Sequence, residues 1–213
     1  MRRVLPVAVL ASGEGTTLEG LAEAISGAQV PARIALVISD RPNAHVIERA
    51  RRLGLPTGII PFHGRPPGEA ASALDRALEE SGSELVVLAG FLSILPRDWV
   101  RAWSGRVINV HPSLLPKYGG RGMYGAHVHE AVLAAGERES GVSVHLVFEE
   151  VDRGTVLLQA RFPVVPGDTP ETLRARAHPV ELELLGEAVG NFAEGRWPLP
   201  YVSGAEPARG RAR

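Results

Sequence analysis

Short apolar runs alternate with helix-like segments through the first half of the chain. Runs with few polar residues predict buried strands at 4–12, 32–39, 56–62 and 84–90, and a fifth strand ends at Asn109. Capping and stop residues predict helices between them, at 16–26, at 43–54 with Asn43 as its cap, at 67–82 and at 97–103. Strands that alternate with helices in this way indicate a parallel sheet with helices on both faces.

The alternation of buried strands and helices ends after residue 110. We predict a loop rich in glycine and proline at 112–125, followed by a helix at 126–137. Two strands at 141–149 and 155–165 can pair across a short turn, and a long helix at 169–195 begins with a Thr-Pro pair. No repeat, low-complexity segment or linker separates the two halves. One domain is therefore expected.

Composition and charge narrow the class of protein. The chain has 213 residues, a formal net charge of -1 and no cysteine, which excludes disulfides, thiolate metal sites and cysteine nucleophiles. The near-zero charge gives no general attraction to nucleic acid. No apolar run approaches the roughly 20 residues that a membrane helix needs. We therefore expect a cytoplasmic protein that binds neither nucleic acid nor membrane.

The segment ASGEGTTL follows the first strand and begins the first helix. In an open parallel sheet, ligands bind where the strands end, and a helix N-terminus favours an anion. The segment lacks the lysine of a triphosphate-binding loop and the third glycine of a dinucleotide fingerprint. A single phosphate bracketed by glycine and by the two hydroxyls of Thr16 and Thr17 fits better. A tight turn with a threonine cap remains the alternative.

A second segment, LVVLAGFLSILP, also ends a buried strand. Gly90 allows the chain to turn and expose several apolar residues, among them Leu92, Ile94 and Leu95. An apolar surface at a strand end suits a flat aromatic ligand, whose polar edge backbone groups can bind. The alternative is that these residues belong to the core around a short helix.

The segment INVHPSLLPKY carries the strongest candidates for chemistry. Asn109 and His111 are two residues apart on a strand, so they lie on the same side. An amide can stabilise an oxyanion, and an imidazole can exchange a proton near neutral pH. Asn109 is one of only three asparagines, and the nearby Lys117 is the only lysine among 23 basic residues.

A carboxylate partner for His111 is available in the segment EEVDRG, which contains Glu149, Glu150 and Asp152. Our hypothesis is that ionised Asp152 raises the pKa of His111 and keeps a proton available. The alternative is that Asp152 only forms a turn. A metal site at His127 and His129 is disfavoured, because residues two apart on a helix point to different faces and no third ligand is spaced with them.

Four segments together resemble the phosphoribosylglycinamide formyltransferase family over residues 4–197: LASGEGTTLEGL, VVLAGFLSIL, INVHPSLLPKY and GVSVHLVFEEVDRGTVLLQ. The resemblance implies a Rossmann-like α/β fold, with a mostly parallel open sheet, helices on both faces and antiparallel strands added in the C-terminal half. It also implies a single domain at 1–203. Its phosphate-binding half is about 1–100, its catalytic and folate-binding half is about 101–203, and 204–213 is expected to be a flexible tail.

The resemblance implies transfer of the formyl group of 10-formyltetrahydrofolate to the amine of glycinamide ribonucleotide, a step of de novo purine synthesis that gives formylglycinamide ribonucleotide and tetrahydrofolate. The amine attacks directly, and neither a metal nor a covalent intermediate is expected. By the same resemblance Asn109 stabilises the tetrahedral oxyanion, and His111 donates a proton and a hydrogen bond to the same oxygen. Asp152 supports the charge of His111.

The resemblance also implies the binding residues. Residues 13–17 hold the substrate phosphate, Glu181 contacts the ribose, and His178 stands where some members carry a basic phosphate ligand. The folate is expected to contact Leu92, Ser93, Ile94, Leu95, Asn109, Val147, Phe148, Glu149, Glu150, Val151 and Asp152. Two departures from the family concern the folate. Ser93 stands where Arg or Lys is common. An Arg that helps to hold the folate is missing near Ala71, and Arg65 is a candidate to replace it.

Other functions remain open at this point. Another folate-dependent formyltransferase or a formyltetrahydrofolate hydrolase has the same chemistry. A transferase acting on initiator tRNA would need a further C-terminal module and a basic surface, and the hydrolase a domain before the first strand; neither is expected. A folate- or nucleotide-binding regulator is the non-enzymatic alternative. The expected partners are small molecules, and the protein is expected to be a monomer or a homodimer.

Overall fold

The computed structural model describes residues 3–27 and 30–202, so the tail predicted at 204–213 lies outside the described residues. Within these ranges seven strands form one sheet in the order β3-β2-β1-β4-β5-β6-β7. The strands are β1 Leu5–Leu10, β2 Ala32–Ser39, β3 Thr57–Ile59, β4 Leu85–Leu88, β5 Val107–His111, β6 Glu139–Leu146 and β7 Val156–Pro163.

Six helices occur in the same described ranges: α1 Thr16–Gly27, α2 His45–Arg52, α3 Pro67–Ser81, α4 Arg97–Ala102, α5 Ala126–Ala134 and α6 Pro170–Ala193. Their apolar residues form two buried layers. One layer joins the sheet to α1, α2, α5 and α6, and the other joins it to α3 and α4. Helices therefore cover both faces, as the alternation of elements predicts. No helix in the described ranges is both long and apolar enough to cross a bilayer.

The sheet is mixed in the predicted way. Strands β1 to β5 pair with one another in parallel. Strand β6 is antiparallel to β5, and β7 is antiparallel to β6. The strand order reverses between β1 and β4, and such a reversal opens a crevice beyond the carboxyl ends of parallel strands. The loops after β1 and β4 and the end of β5 meet at this crevice, which brings three of the predicted site segments together.

The structure contradicts one predicted helix start and confirms another. The prediction of Asn43 as the cap of the second helix is wrong, because α2 begins at His45 and Ala44 occupies the cap position without a side-chain bond. The N–H of Val46 instead donates to the carbonyl of Gly13, at 3.0 Å, so a distant loop satisfies this helix start. The start of α6 is confirmed: the Thr169 side chain accepts from the N–H of Thr172.

Candidate active site

A cavity of about 570 Å³ occupies the crevice. Its wall combines the loop after β1, the segment after β4, the end of β5, the loop before α5, the turn after β6 and one residue of α6. The wall includes residues 13–17, 88–95, 109–112, 120–125 and 147–152 without Glu150, together with His145 and Arg174. All five residues of the predicted phosphate loop and the three predicted catalytic residues are among them.

Some predicted site residues lie elsewhere. Glu150 lines a neighbouring cavity next to Arg101 and Phe148. His178 and Glu181 are not among the residues of the main cavity wall; they pair with each other, with the ring Nδ1 3.5 Å from the carboxylate Oε2. Arg65 is exposed and is not part of this wall either. Contacts of these residues with a ligand stay predictions.

Asn109 is fixed from behind by a histidine that the sequence did not single out. It faces His145 in the antiparallel register of β5 and β6. The Asn109 amide Nδ2 lies 3.0 Å from Nε2 of His145, whose Nδ1 lies 2.8 Å from the carbonyl oxygen of Leu146. A carbonyl only accepts, so Nδ1 carries the hydrogen and Nε2 accepts from the amide. The second amide hydrogen of Asn109 remains available to a ligand oxygen.

His111 is buried at the end of β5, with an exposed fraction of 4%. Its Nε2 donates to the carbonyl oxygen of Tyr118 at 2.8 Å. This assigns the ring hydrogen to Nε2 and leaves Nδ1, 3.7 Å from Oδ2 of Asp152, as the atom that gains or loses a proton. Burial lowers the pKa of His111, while the charge of Asp152 and the bond to Tyr118 act in the opposite direction without cancelling it.

Asp152 lies between two histidines. Its Oδ2 accepts from the N–H of Gly120 at 2.9 Å, and its Oδ1 lies 3.5 Å from Nε2 of His145. Burial alone raises the pKa of Asp152, but the polar neighbours of the carboxylate, His111 and the N–H of Gly120 among them, outweigh it and lower the pKa. Asp152 is therefore ionised at neutral pH, and its charge acts on His111 with the predicted sign. The expected net rise of the His111 pKa is not found, because burial dominates.

The backbone around Asp152 explains how the carboxylate is held in place. Asp152 has a φ of 55°, in the left-handed region. Two residues later, a Cβ on Gly154 would lie 1.7 Å from the carbonyl oxygen of Leu146, so only glycine allows this close approach. Asp152 thus forms the turn and also lies beside His111, so its interpretation as a turn residue and its interpretation as the partner of His111 are compatible.

The loop after β1 forms another part of the cavity wall. Gly15 has a φ of 82°, and a Cβ there would lie 2.8 Å from Cα of Val46, so the loop is packed tightly against α2. Thr16 is the first residue of α1. The first N–H groups of a helix have no partner within it, so they can bind an anion. The exposed Glu14 carboxylate accepts a 2.9 Å hydrogen bond from His45, which lowers the pKa of Glu14.

The segment after β4 supplies apolar surface. Leu92 and Ile94 are 40% and 59% exposed and face the cavity together with Phe148. The N–H of Leu92 donates to the Ser12 hydroxyl at 2.7 Å, which fixes the segment to the loop after β1. Ser93 is buried, and its hydroxyl donates to Asp40 at 2.6 Å. Asp40 gave no signal in the sequence, because its buried position depends on the loop packing.

His127 and His129 have different surroundings. His127 is exposed and packs against the Tyr124 ring, with 5.2 Å between the centroids. His129 is buried, with an exposed fraction of 2%. Within residues 3–27 and 30–202, no group of three or more His, Asp or Glu side chains is placed to hold a metal ion.

Comparisons with known proteins agree with this geometry. The family model described as formyl transferase matches residues 5–189. The phosphoribosylglycinamide formyltransferase of Haemophilus influenzae is 36% identical over 194 residues, which cover 91% of this chain and 89% of that protein. The trifunctional purine biosynthetic protein adenosine-3 of Drosophila pseudoobscura pseudoobscura is 43% identical over 192 residues, but this match spans only 14% of its length.

Solved structures give the same result. A phosphoribosylglycinamide formyltransferase from Coxiella burnetii superimposes with a TM-score of 0.84 at 42% identity, covering 91% of this chain and 89% of the other. Glycinamide ribonucleotide transformylase 1 from Symbiobacterium toebii superimposes with a TM-score of 0.85 at 35% identity. The fold, the cavity and the match over 5–189 lead to one conclusion: the chain belongs to the formyl transferase family.

Proposed function

We propose that the protein transfers the formyl group of 10-formyltetrahydrofolate to the primary amine of glycinamide ribonucleotide, as a phosphoribosylglycinamide formyltransferase of purine synthesis. The observation that carries the proposal is the convergence of Asn109, His111 and Asp152 on one cavity wall, which also includes the start of α1 and an apolar surface. This arrangement suits a phosphorylated amine at one end and a flat folate at the other.

The reaction begins when the substrate amine attacks the formyl carbon. A carbon–nitrogen bond forms, and the π electrons of the carbonyl move to its oxygen. The Asn109 amide, held by His145, donates a hydrogen bond to this oxyanion without having to reorient. Collapse of the tetrahedral intermediate breaks the bond between the formyl carbon and the folate nitrogen, and that nitrogen takes up a proton.

His111 and Asp152 move the proton. The ring is neutral at rest, because burial lowers the pKa of His111. A developing oxyanion beside the ring favours the imidazolium form, so Nδ1 accepts the proton that the amine releases as negative charge appears. The Asp152 carboxylate, 3.7 Å from Nδ1, stabilises this cation. The protonated ring then supplies the proton that the departing folate nitrogen requires.

A formyl-transfer assay tests the proposal. Purified protein is incubated with 10-formyltetrahydrofolate with and without glycinamide ribonucleotide, and the formylated product, tetrahydrofolate and free formate are quantified. We expect tetrahydrofolate and formylated product in equal amounts, and only when the amine is present. Formate release without the amine would indicate a hydrolase, and folate binding without turnover would indicate a regulator.

The proposal also includes the location and the assembly of the protein. We infer a cytoplasmic monomer or homodimer that acts on small molecules; among its relatives, the phosphoribosylglycinamide formyltransferase of Arabidopsis thaliana is named as chloroplastic. Light scattering after size-exclusion chromatography, with and without ligands, distinguishes monomer from dimer. A larger assembly would contradict the inference.

A further inference from the structure

Arg174 is an exposed arginine near the start of α6, and its side chain lines the cavity. Among the described residues it has no hydrogen bond and no ion pair. Arg176, two positions later, differs: its two terminal nitrogens bind both carboxylate oxygens of Asp168 at 2.7 and 2.8 Å, and it is not part of the cavity wall. A guanidinium without a protein partner at a cavity wall is available to a ligand.

The packing of α6 on α1 shows which end of the cavity Arg174 occupies. A Cβ on Gly20 of α1 would lie 2.5 Å from the side chain of Leu182, and a Cβ on Gly186 would lie 3.0 Å from Ala24. Both contacts advance by four residues on each helix, so the two helices run in the same direction. Their N-termini therefore lie at the same end of the molecule.

This register places Arg174 beside the loop after β1. Arg174 precedes Leu182 by two turns, about 12 Å along α6, whereas Thr16 precedes Gly20 by only about 6 Å along α1. Arg174 therefore lies about one turn beyond the first residue of α1, and it shares the cavity wall with residues 13–17 of the loop after β1. In the loop after β1, Thr16 is preceded by Gly13, Glu14 and Gly15.

A cation at this position offsets the negative charge of the loop. A phosphate bound by the N–H groups of the loop lies beside the Glu14 carboxylate, which repels it. His45 holds this carboxylate at 2.9 Å, and the charge of Arg174 also reaches Glu14 and contributes to its lowered pKa, together with the charge of Arg49. Arg49 cannot serve the ligand, because it is paired with Glu19 on the surface of α1.

We propose that Arg174 binds the phosphate of the ribonucleotide substrate and sets the preference of this site for a phosphorylated amine. The inference rests on the proposed function and adds a specific ligand to it. The guanidinium on α6 and the N–H groups at the start of α1 both donate hydrogen bonds to the phosphate. His178, one turn further along α6, is half-buried and paired with Glu181, and it is not part of the cavity wall, so Arg174 is the basic residue of α6 that lines the open cavity.

The test compares Arg174→Gln with wild type on two amine substrates, glycinamide ribonucleotide and the same riboside without its phosphate. For the nucleotide, kcat/KM should fall roughly 10- to 100-fold, as expected for the loss of a charge-assisted hydrogen bond. For the riboside it should not change, and Arg174→Lys should recover part of the loss. Arg138→Gln, which removes an exposed arginine outside the cavity, should affect neither substrate.

An equal loss with both substrates would show that Arg174 acts only through the structure and would overturn the proposal, as would a loss confined to the KM of the folate. Calorimetric titration with inorganic phosphate separates this inference from the proposed function, since it needs no turnover. Wild type should bind phosphate more tightly than Arg174→Gln. Equal affinities would refute the role of Arg174 even if formyl transfer is observed.

Discussion

At the scale of single residues, the orientation of Asn109 depends on a neighbour across the sheet. His145 is 1% exposed, and its ring bridges the Asn109 amide and the Leu146 carbonyl. The amide thus presents its free hydrogen to the cavity before any ligand binds. Such preorganised donors lower a barrier because they need no rearrangement as charge develops.

We expect Asn109→Ala to lower kcat by about 10²–10³, the usual loss for one oxyanion donor. Binding of folate and ribonucleotide should weaken much less, because the oxyanion exists only during the reaction. Steady-state kinetics combined with equilibrium binding of each ligand measures the two effects. A small change in kcat with large rises in both dissociation constants would mean that Asn109 only positions ligands.

The coupling of His111 to Asp152 is a second prediction at this scale. Asp152→Asn removes a negative charge 3.7 Å from Nδ1 of His111 and nearly preserves the shape of the side chain. The pKa of His111, already lowered by burial, should fall further, because the charge that favours the imidazolium is lost. NMR titration of the His111 ring in both proteins measures the shift. An unchanged or higher pKa in the variant would leave Asp152 with the turn alone.

At the scale of elements, the loop between β1 and α1 joins strand, helix and ligand site. Its glycines have different functions. Gly15 has a φ of 82° and no room for a side chain, since a Cβ would contact Val46. Gly13 has open space around the position of a Cβ and no positive φ. A charge placed at Gly13 therefore probes the anion site without strain, whereas one placed at Gly15 would also disturb the packing of α2.

We expect Gly13→Asp to raise the KM for glycinamide ribonucleotide at least about tenfold, because a carboxylate near the bound phosphate repels it. Gly13→Asn is the matched neutral control and should change this KM little. The KM for 10-formyltetrahydrofolate should stay close to the wild-type value in both variants. Equal effects of Asp and Asn would show that shape rather than charge is responsible.

At the scale of the whole molecule, buried histidines couple stability to pH. Burial lowers the pKa of His111 and also that of His129, which lies within reach of the charges of Glu181 and Arg174. Below about pH 6.5, the ordinary value for histidine, the unfolded chain binds protons that the native state does not. The free energy of unfolding should therefore be fully retained above this pH and should fall as the pH is lowered through it.

Urea unfolding at pH 7.5 and at pH 5.5 measures this loss. His129→Gln should show a smaller difference between the two pH values than wild type, because one of the buried groups no longer titrates. The exposed pair of His45 and Glu14 acts in the opposite direction, since the pKa of His45 is raised, but this pair is present in both proteins. The same pH dependence in both would mean that His129 does not contribute.

Prediction from the sequence succeeded where a residue's environment follows from its neighbours along the chain. The apolar runs at 32–39 and 84–90 gave strands, and Thr169 gave the start of α6. It failed at α2, where Asn43 has the chemistry of a cap but a carbonyl from the loop after β1 satisfies the helix. It also missed His145 and Asp40, whose partners are distant in sequence.

The sequence by itself determined the class of fold, the segments of the site and the candidate pair Asn109 and His111, because periodicity and spacing are local properties. Only the tertiary structure decided which carboxylate reaches His111, since 41 positions separate it from Asp152. It also decided the net pKa of His111, because burial and charge act in opposite directions and their balance depends on packing. The position of Arg174 beside the loop likewise depends on how α6 packs along α1.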